Sequence, residues 1–359
     1  MTRTNVLTTF AMGVAAAGLV AAAPALAKVE GDTITLGSAI SFTGKYSTNG
    51  IHAKNGYDLG VKRINEMGGV KVGGKSYKLK IVYYDDESTP LRTAQLAERL
   101  IKQDGIKFIL GPYSSATTKA IAPITEKYKI PMVESEGASR SLFTQGYKYI
   151  FAVLSTSEQY LASSIALAAE IAKKNGKKPE DVKVAMAFEN DPFSLDVRAG
   201  VVDDINKYGM KIVIDDKLPR DLSDMSATLT KVKALKPDLL VVSGHSKGAA
   251  LGSAGEYDKL FKATYDGYRN VPYQAAQASA AVLVWKDAFE RSNSFDTEKV
   301  RQALAETNMQ TFYGNIRFSK AGNNLAKPMV LRQIQNGKFN VVAPSNWASH
   351  KINWPRKAQ

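Results

Sequence analysis

Serine, threonine and glycine crowd two short stretches of this 359-residue chain, Tyr113-Ser114-Ser115-Ala116-Thr117-Thr118 and Ser135-Glu136-Gly137-Ala138-Ser139. Neither stretch contains an obvious nucleophile, general base or metal ligand, so the chemistry it suits is the holding of a small anionic molecule. Each stretch follows an apolar run that reads as a strand, IKFILG and IPMVES. The first also opens a helix, TTKAIAPITEKY, whose unpaired N–H groups and positive dipole end favour negative charge. Two successive strands therefore end in hydroxyl-rich loops at the same edge of a parallel sheet, the edge where open α/β sheets bind ligands.

Two further stretches match enzyme motifs in letters. Gly69 to Ser76, GVKVGGKS, has the spacing of a phosphate-binding P-loop. That loop works only between a strand and a helix. Here the order is reversed, a helix ending at Gly68-Gly69 and a strand beginning at Tyr77, so the glycines read as a helix cap and a tight turn. Gly244 to Gly248, GHSKG, matches a nucleophile elbow and follows a strand, DLLVVS. A hydrolase would need an acid and then a histidine later in the chain. His350 is the only later histidine, and Asp258, Asp266, Asp287 or Asp296 could supply the acid. No oxyanion loop is visible, and helices rather than sheet strands follow. Ser246 reads more simply as a helix cap at a cleft edge.

Other residues carry weaker signals. Asp85-Asp86-Glu87 reads as a solvated strand end rather than a cation site, which needs several more convergent oxygens. His52 reads as exposed in a loop or first helical turn, and Trp285 as core. Trp347, His350 and Trp354 form a tail that the sequence does not assign.

Stepping outward, the elements alternate strand and helix from Thr33: ITLGSAIS, KNGYDLGVKRINEMGG, YKLKIVYYDD, then LRTAQLAERLIKQDG behind the cap Thr89-Pro90. KYIFAVL and a long amphipathic helix lead to a second series, VKVAMAF, SLDVRAGVVDDINKYG, MKIVIDDKL, MSATLTKVKALK and DLLVVSG. After Leu251 three helices follow without a strand between them, and VLRQIQNGKFNVVAP closes as a hairpin turned by Asn336-Gly337. The fold class is α/β, two doubly wound Rossmann-like lobes flanking a cleft, and clefts between domains are preferred ligand sites.

The N-terminus has a positive Arg3, an apolar run rich in Ala and Gly, and an Ala25-Leu26-Ala27 cleavage site, so an exported chain starting near residue 28 is expected. No later segment approaches the ~18 uninterrupted apolar residues of a membrane span. The absence of cysteine excludes disulfides, thiol catalysis and Cys-based metal sites. The formal charge of +14 is spread singly along helix faces and hairpins, which argues against nucleic acid and for a solvated basic surface.

Residues 28 to about 251 and about 256 to 345 resemble the leucine/isoleucine/valine-binding type of periplasmic substrate-binding protein that serves ABC importers. The segments that carry the resemblance are ITLGSAISFTGKYSTNG, GYDLGVKRINEMGGVKVGGKSYKLKIVYYDDEST, DGIKFILGPYSSATT, IPMVESEGAS and YGNIRF. It implies a signal at 1–27, lobe one at 28–150, lobe two at 151–251, a helical return to lobe one at 252–325, and a crossing hairpin and tail in lobe two at 326–359. It also implies that Ser115 takes the ligand carboxylate, that Gly137 and Ser139 contribute backbone and hydroxyl groups, and that Asn49, Phe193 and His245 approach the ligand. Hinge closure would then precede docking on membrane permease subunits, with the protein a periplasmic monomer that binds a small carboxylate and neither nucleic acid nor cofactor.

The chain departs from that family between Leu251 and Glu256, where a strand–helix–strand segment carrying the acidic partner of the ligand ammonium is absent. A shortened second lobe with an exposed edge strand is expected. Three readings follow: a natural deletion variant with impaired binding, a ligand without an ammonium group such as an aromatic or aliphatic acid, or Glu136 as the substitute ammonium partner unless Arg140 neutralises it. The other readings are an exported serine hydrolase using Ser246 and a ligand-sensing module of the same fold.

Overall fold

The computed structural model describes residues 29–219, 225–244, 255–268 and 270–353. The first lobe begins with β1 (Val29–Glu30), β2 (Thr33–Ile40), α1 (Ser47–Glu66), β3 (Val70–Val72), β4 (Lys75–Asp85), α2 (Pro90–Lys102), β5 (Ile109–Leu110), α3 (Ser115–Tyr128), β6 (Met132–Glu134) and β7 (Ile150–Ala152). The second lobe holds α4 (Ala162–Lys174), β8 (Lys183–Glu189), α5 (Pro192–Tyr208), β9 (Lys211–Leu218), α6 (Ser226–Leu235) and β10 (Leu239–Ser243). Then come α7 (Gly255–Thr264), α8 (Tyr273–Ser292), α9 (Thr297–Ala305) and the hairpins β11 (Asn308–Thr311) with β12 (Gly314–Arg317) and β13 (Leu331–Gln335) with β14 (Lys338–Ala343).

The first sheet runs β3-β4-β2-β5-β6-β7, with β1 added to β2, and its central strands are parallel. Both faces are covered, so these strands read as apolar runs without polar alternation. Ile34, Leu36 and Ile40 of β2 and the neighbouring Phe108 and Leu110 face α1 and α8, where Trp285 and Phe289 complete the cluster. Ala39 and Ile109 face the other way, toward Leu96, Leu100 and Ile121 of α2 and α3. Trp285 is fully buried, as expected of core.

Helices α1 and α8 approach unusually closely because each presents small residues to the other. A Cβ at Gly56 would fall 2.2 Å from the Ala275 carbonyl oxygen, and the Ser279 hydroxyl donates to the Gly56 carbonyl at 2.5 Å. Helix α8 thus belongs to the first lobe although it follows the second in sequence.

The second sheet, β10-β8-β9, is parallel and three-stranded among the described residues. Val184, Met186 and Phe188 of β8 bury against Ile165 of α4 and Val197 and Val201 of α5. Its edge, β10, leaves Leu240 37% and Val242 50% exposed. An apolar edge strand with this exposure is the kind of surface that sheets ordinarily cover.

The Gly69–Ser76 motif folds as the β3–β4 hairpin, with Gly73 and Gly74 at φ 58° and 76° in its turn, so no phosphate cradle forms. Asn336 and Gly337 at φ 51° and 72° turn the β13–β14 hairpin as the Asn-Gly pair predicts.

Gly56→Ala is expected to destabilise the chain by about 1–3 kcal/mol, the usual cost of overpacking a filled contact. Urea unfolding followed by circular dichroism measures it, and a midpoint equal to that of the unmodified protein would contradict the close α1–α8 contact.

Candidate functional site

The loop after β5 enters α3 through Ser114, which sits at φ 86° and ψ 148°, a conformation L-residues rarely adopt. Several hydrogen bonds hold it there. The Ser114 hydroxyl accepts from the Thr117 N–H at 3.4 Å, and the Thr118 hydroxyl lies 2.8 Å from the Ser114 carbonyl. The next residue, Ser115, is buried, and its Oγ accepts the Ser139 N–H at 3.0 Å. That contact leaves the Ser115 O–H free to donate. The N–H groups of Ser115 and Ala116, in the first turn of α3, have no intrahelical acceptor.

The second loop is organised by Glu134, a completely buried carboxyl. Its Oε1 accepts from the Glu136 N–H at 2.6 Å and the Gly137 N–H at 2.8 Å, and its Oε2 lies 2.9 Å from the Thr118 hydroxyl. Burial raises its pKa to about 7 against the pull of those donors. Glu136 is pushed well above the carboxylate range as well, by burial first and by the Glu134 charge second.

A cavity of about 990 Å³ lies beyond these loops and is lined from both lobes. Ser115, Asn49 and Phe193 line it together with Glu136 and Ala138. Asn49 Oδ1 accepts from Gln274 Nε2 at 2.8 Å, which turns its amide N–H groups elsewhere. Phe193 meets Tyr160 edge-on, ring centres 5.3 Å apart. Tyr113, Tyr273, Phe312 and Tyr313 add to a strongly aromatic wall. His245 and Ser246 lie outside the described residues.

Gly137 and Ser139 stand behind this surface. A Cβ on Gly137 would come 2.3 Å from Thr118 Oγ1, so glycine is required for the loop to close on α3. The Ser139 hydroxyl donates to Asp196 of α5, and the Ser141 N–H reaches the same carboxylate at 3.3 Å. Lys45 pairs with Glu189 at the end of β8. Arg140 lies 3.6 Å from Asp203, across the lobes and away from Glu136. Sequence reading missed Asp196 and the tyrosines, because only the juxtaposition of lobes distinguishes them from ordinary helix-face acids and core aromatics.

The second lobe is joined to the first along Ala152–Ser155 and Asn323–Lys327. Asn324 Nδ2 donates to the Val153 carbonyl at 2.8 Å and the Ser155 hydroxyl to the Lys327 carbonyl at 2.7 Å. Of the hydrolase elements, Ser246 lies outside the described residues, while Asp258 lines the cavity. His350 is exposed, with its Nδ1 2.9 Å from the Ser349 hydroxyl. Asp85 and Asp86 brace the loop after β2, accepting from the Phe42 N–H at 2.9 Å and the Ser41 hydroxyl at 2.6 Å. Among the described residues no cluster of acids or histidines is suited to a metal ion, and no helix is long and apolar enough to cross a membrane.

The periplasmic binding protein family model matches residues 33–259. A Leu/Ile/Val-binding protein homolog 8 of Brucella abortus is 24% identical over 381 aligned residues, covering 90% of this chain and 93% of that protein. Ninety per cent of 359 residues is about 323, so some 58 of those aligned positions are occupied in the relative and empty here. A leucine-binding protein of Thermotoga maritima superposes with a TM-score of 0.70 at 21% identity, over 86% of this chain and 97% of its own. An ABC-transporter solute-binding protein of R. palustris, solved with 4-hydroxybenzoate, gives 0.72 at 20% identity, over 86% and 95%. These structures share the type I two-lobed fold.

Because the folded state binds the Glu134 proton more tightly than the unfolded chain, its stability contribution is greatest below pH 4.5 and declines as pH rises to about 7. Glu134→Gln should flatten the fall in melting temperature between pH 5 and 8, removing a slope on the order of 2–3 kcal/mol. Scanning calorimetry across that range tests this, and parallel pH profiles for the two proteins would contradict it.

Proposed function

Given that this chain belongs to the periplasmic binding protein family, we propose that it is the substrate-binding component of an ABC importer and captures a small carboxylate between its lobes. The division into an export signal at 1–27, a first lobe at 28–150, a second at 151–251, a return at 252–325 and a crossing hairpin at 326–359 is part of this reading. So are cleavage after Ala27, action in the periplasm as a monomer, and docking on permease subunits.

One observation carries the ligand class. The Ser115 hydroxyl, oriented by the Ser139 N–H at 3.0 Å, opens into the cavity at the N-terminus of α3. A carboxylate placed there accepts the Ser115 O–H and the first-turn N–H groups, in the field of the helix dipole. Asn49 lines the same space, and Phe193 with the tyrosines packs an apolar or aromatic body. Closure follows because a ligand touching both lobes binds the closed state better than the open one.

Two kinds of body remain in play, and Glu136 separates them. It has no cationic partner among the described residues, its one recorded side-chain bond being to the Ser135 hydroxyl at 3.3 Å. A ligand ammonium beside it would draw off its proton and pair with the carboxylate. A ligand without an ammonium leaves it protonated as a hydroxyl donor. The known relatives include both a leucine-binding protein and a protein solved with 4-hydroxybenzoate.

Thermal-shift titration with leucine, 4-methylvalerate and 4-hydroxybenzoate tests the reading, since a ligand bound only by the folded state raises its melting temperature. At least one carboxylate should stabilise the protein. Ser115→Ala should weaken it about tenfold or more, the loss of a charge-assisted hydrogen bond being worth roughly 1.5–3 kcal/mol. Unchanged affinity in the variant removes Ser115 from the site. No stabilisation by any carboxylate removes the function.

A further inference from the structure

Five charged side chains among the described residues line the cavity, and their pairing is uneven. Glu189 is held by Lys45, and Asp258 by Lys262 at 2.7 Å. Burial, and then the Glu134 charge, push the Glu136 carboxyl well above the usual carboxylate range. Lys327 and Arg332 have no acidic partner among the described residues. The Lys327 ammonium is half-buried, donates to the Tyr313 carbonyl at 2.8 Å and rests 3.6 Å from the centre of that ring. Only the backbone carbonyl takes one of its three N–H donors in a hydrogen bond among the described residues. Arg332, five residues on, lines the cavity, and its guanidinium lies 5.9 Å from the centre of the Phe339 ring.

A partly desolvated cation without an anion is costly, and its pKa is accordingly lowered to about 8 by burial. The position is not a loose surface placement. The Ser155 hydroxyl fixes the Lys327 carbonyl at 2.7 Å where the chain crosses between lobes. The cavity wall therefore carries two kinds of anion-binding group: hydroxyls and helix N–H groups on α3, and a positive strip at Lys327 and Arg332.

We infer that the ligand carries a second acidic group, received by Lys327 with Arg332 at the rim, so that this protein prefers dicarboxylates to monocarboxylates of the same shape. This deepens the carboxylate reading above and rests on it. The aromatic lining accommodates a ring or a chain between the two acids, and the cation–π contact with Tyr313 holds the ammonium in place until an anion arrives.

The test compares pairs in which one carboxylate is replaced by the isosteric neutral nitro group: terephthalate with 4-nitrobenzoate, and glutarate with 4-nitrobutyrate. Dissociation constants are measured by calorimetry on the purified full chain. In at least one pair the diacid should bind tenfold or more tightly than its nitro partner. In Lys327→Met that ratio should fall to within threefold while the nitro compound keeps its affinity. Arg332→Gln, at an exposed position, should lower the ratio at least threefold and provides the test if the methionine variant does not fold. A nitro acid that binds as well as its diacid, or a preference that survives both substitutions, overturns the inference and leaves the carboxylate reading standing. If no member of either pair binds, and leucine, 4-methylvalerate and 4-hydroxybenzoate also fail, both readings fall.

Discussion

A single fully buried carboxyl group, that of Glu134, holds this face of the cavity together. Its oxygens collect the N–H groups of Glu136 and Gly137 and the Thr118 hydroxyl, so the loop after β6 and the start of α3 become one body. The close fit leaves no room for side chains nearby. A Cβ on Gly111 would lie 2.2 Å from Glu134 Oε2, just as one on Gly137 would strike Thr118. The strained Ser114 is tolerated because this network over-determines its backbone. Ser115 then inherits its direction from a frame that ligand exchange need not disturb.

Much of this was legible in the letters. Alternation of apolar runs and amphipathic stretches located the strands and helices of both lobes, and the reversed order around Gly69–Ser76 exposed a false P-loop. The hydroxyl-rich loops marked an edge that lies beside the cavity, because turn chemistry and helix polarity are local properties. What escaped was set by contacts between distant segments. Ser139 reads in sequence like Ser115, yet its hydroxyl meets Asp196 of the other lobe. The long helix expected after Leu154 begins only at Ala162, behind a 3₁₀ turn at Ser157–Gln159 whose first N–H is taken by the Ala138 carbonyl at 2.8 Å. Lys327 carried no motif at all. Its place comes from the crossing segment, which leaves it lining the cavity with no acidic partner among the described residues.

The lobes differ in how firmly they are built. The first buries a two-sided sheet beneath four long helices, and α8 returns to it through the close contact of Gly56 with Ala275. The second rests on three described strands with one well-covered face, and its β10 edge exposes apolar side chains. Stability is accordingly uneven, and local opening is expected to begin in the second lobe, where fewer apolar contacts oppose it.

The bridges from Ser139 to Asp196 and from Lys45 to Glu189 join the lobes with no ligand taking part. Such contacts raise the fraction of molecules already in the competent shape, and the apparent affinity for any ligand scales with that fraction. The multiplier is the same whatever occupies the cavity. On the proposed function these bridges strengthen capture indiscriminately, and selectivity between two candidate molecules is written in the residues that touch them.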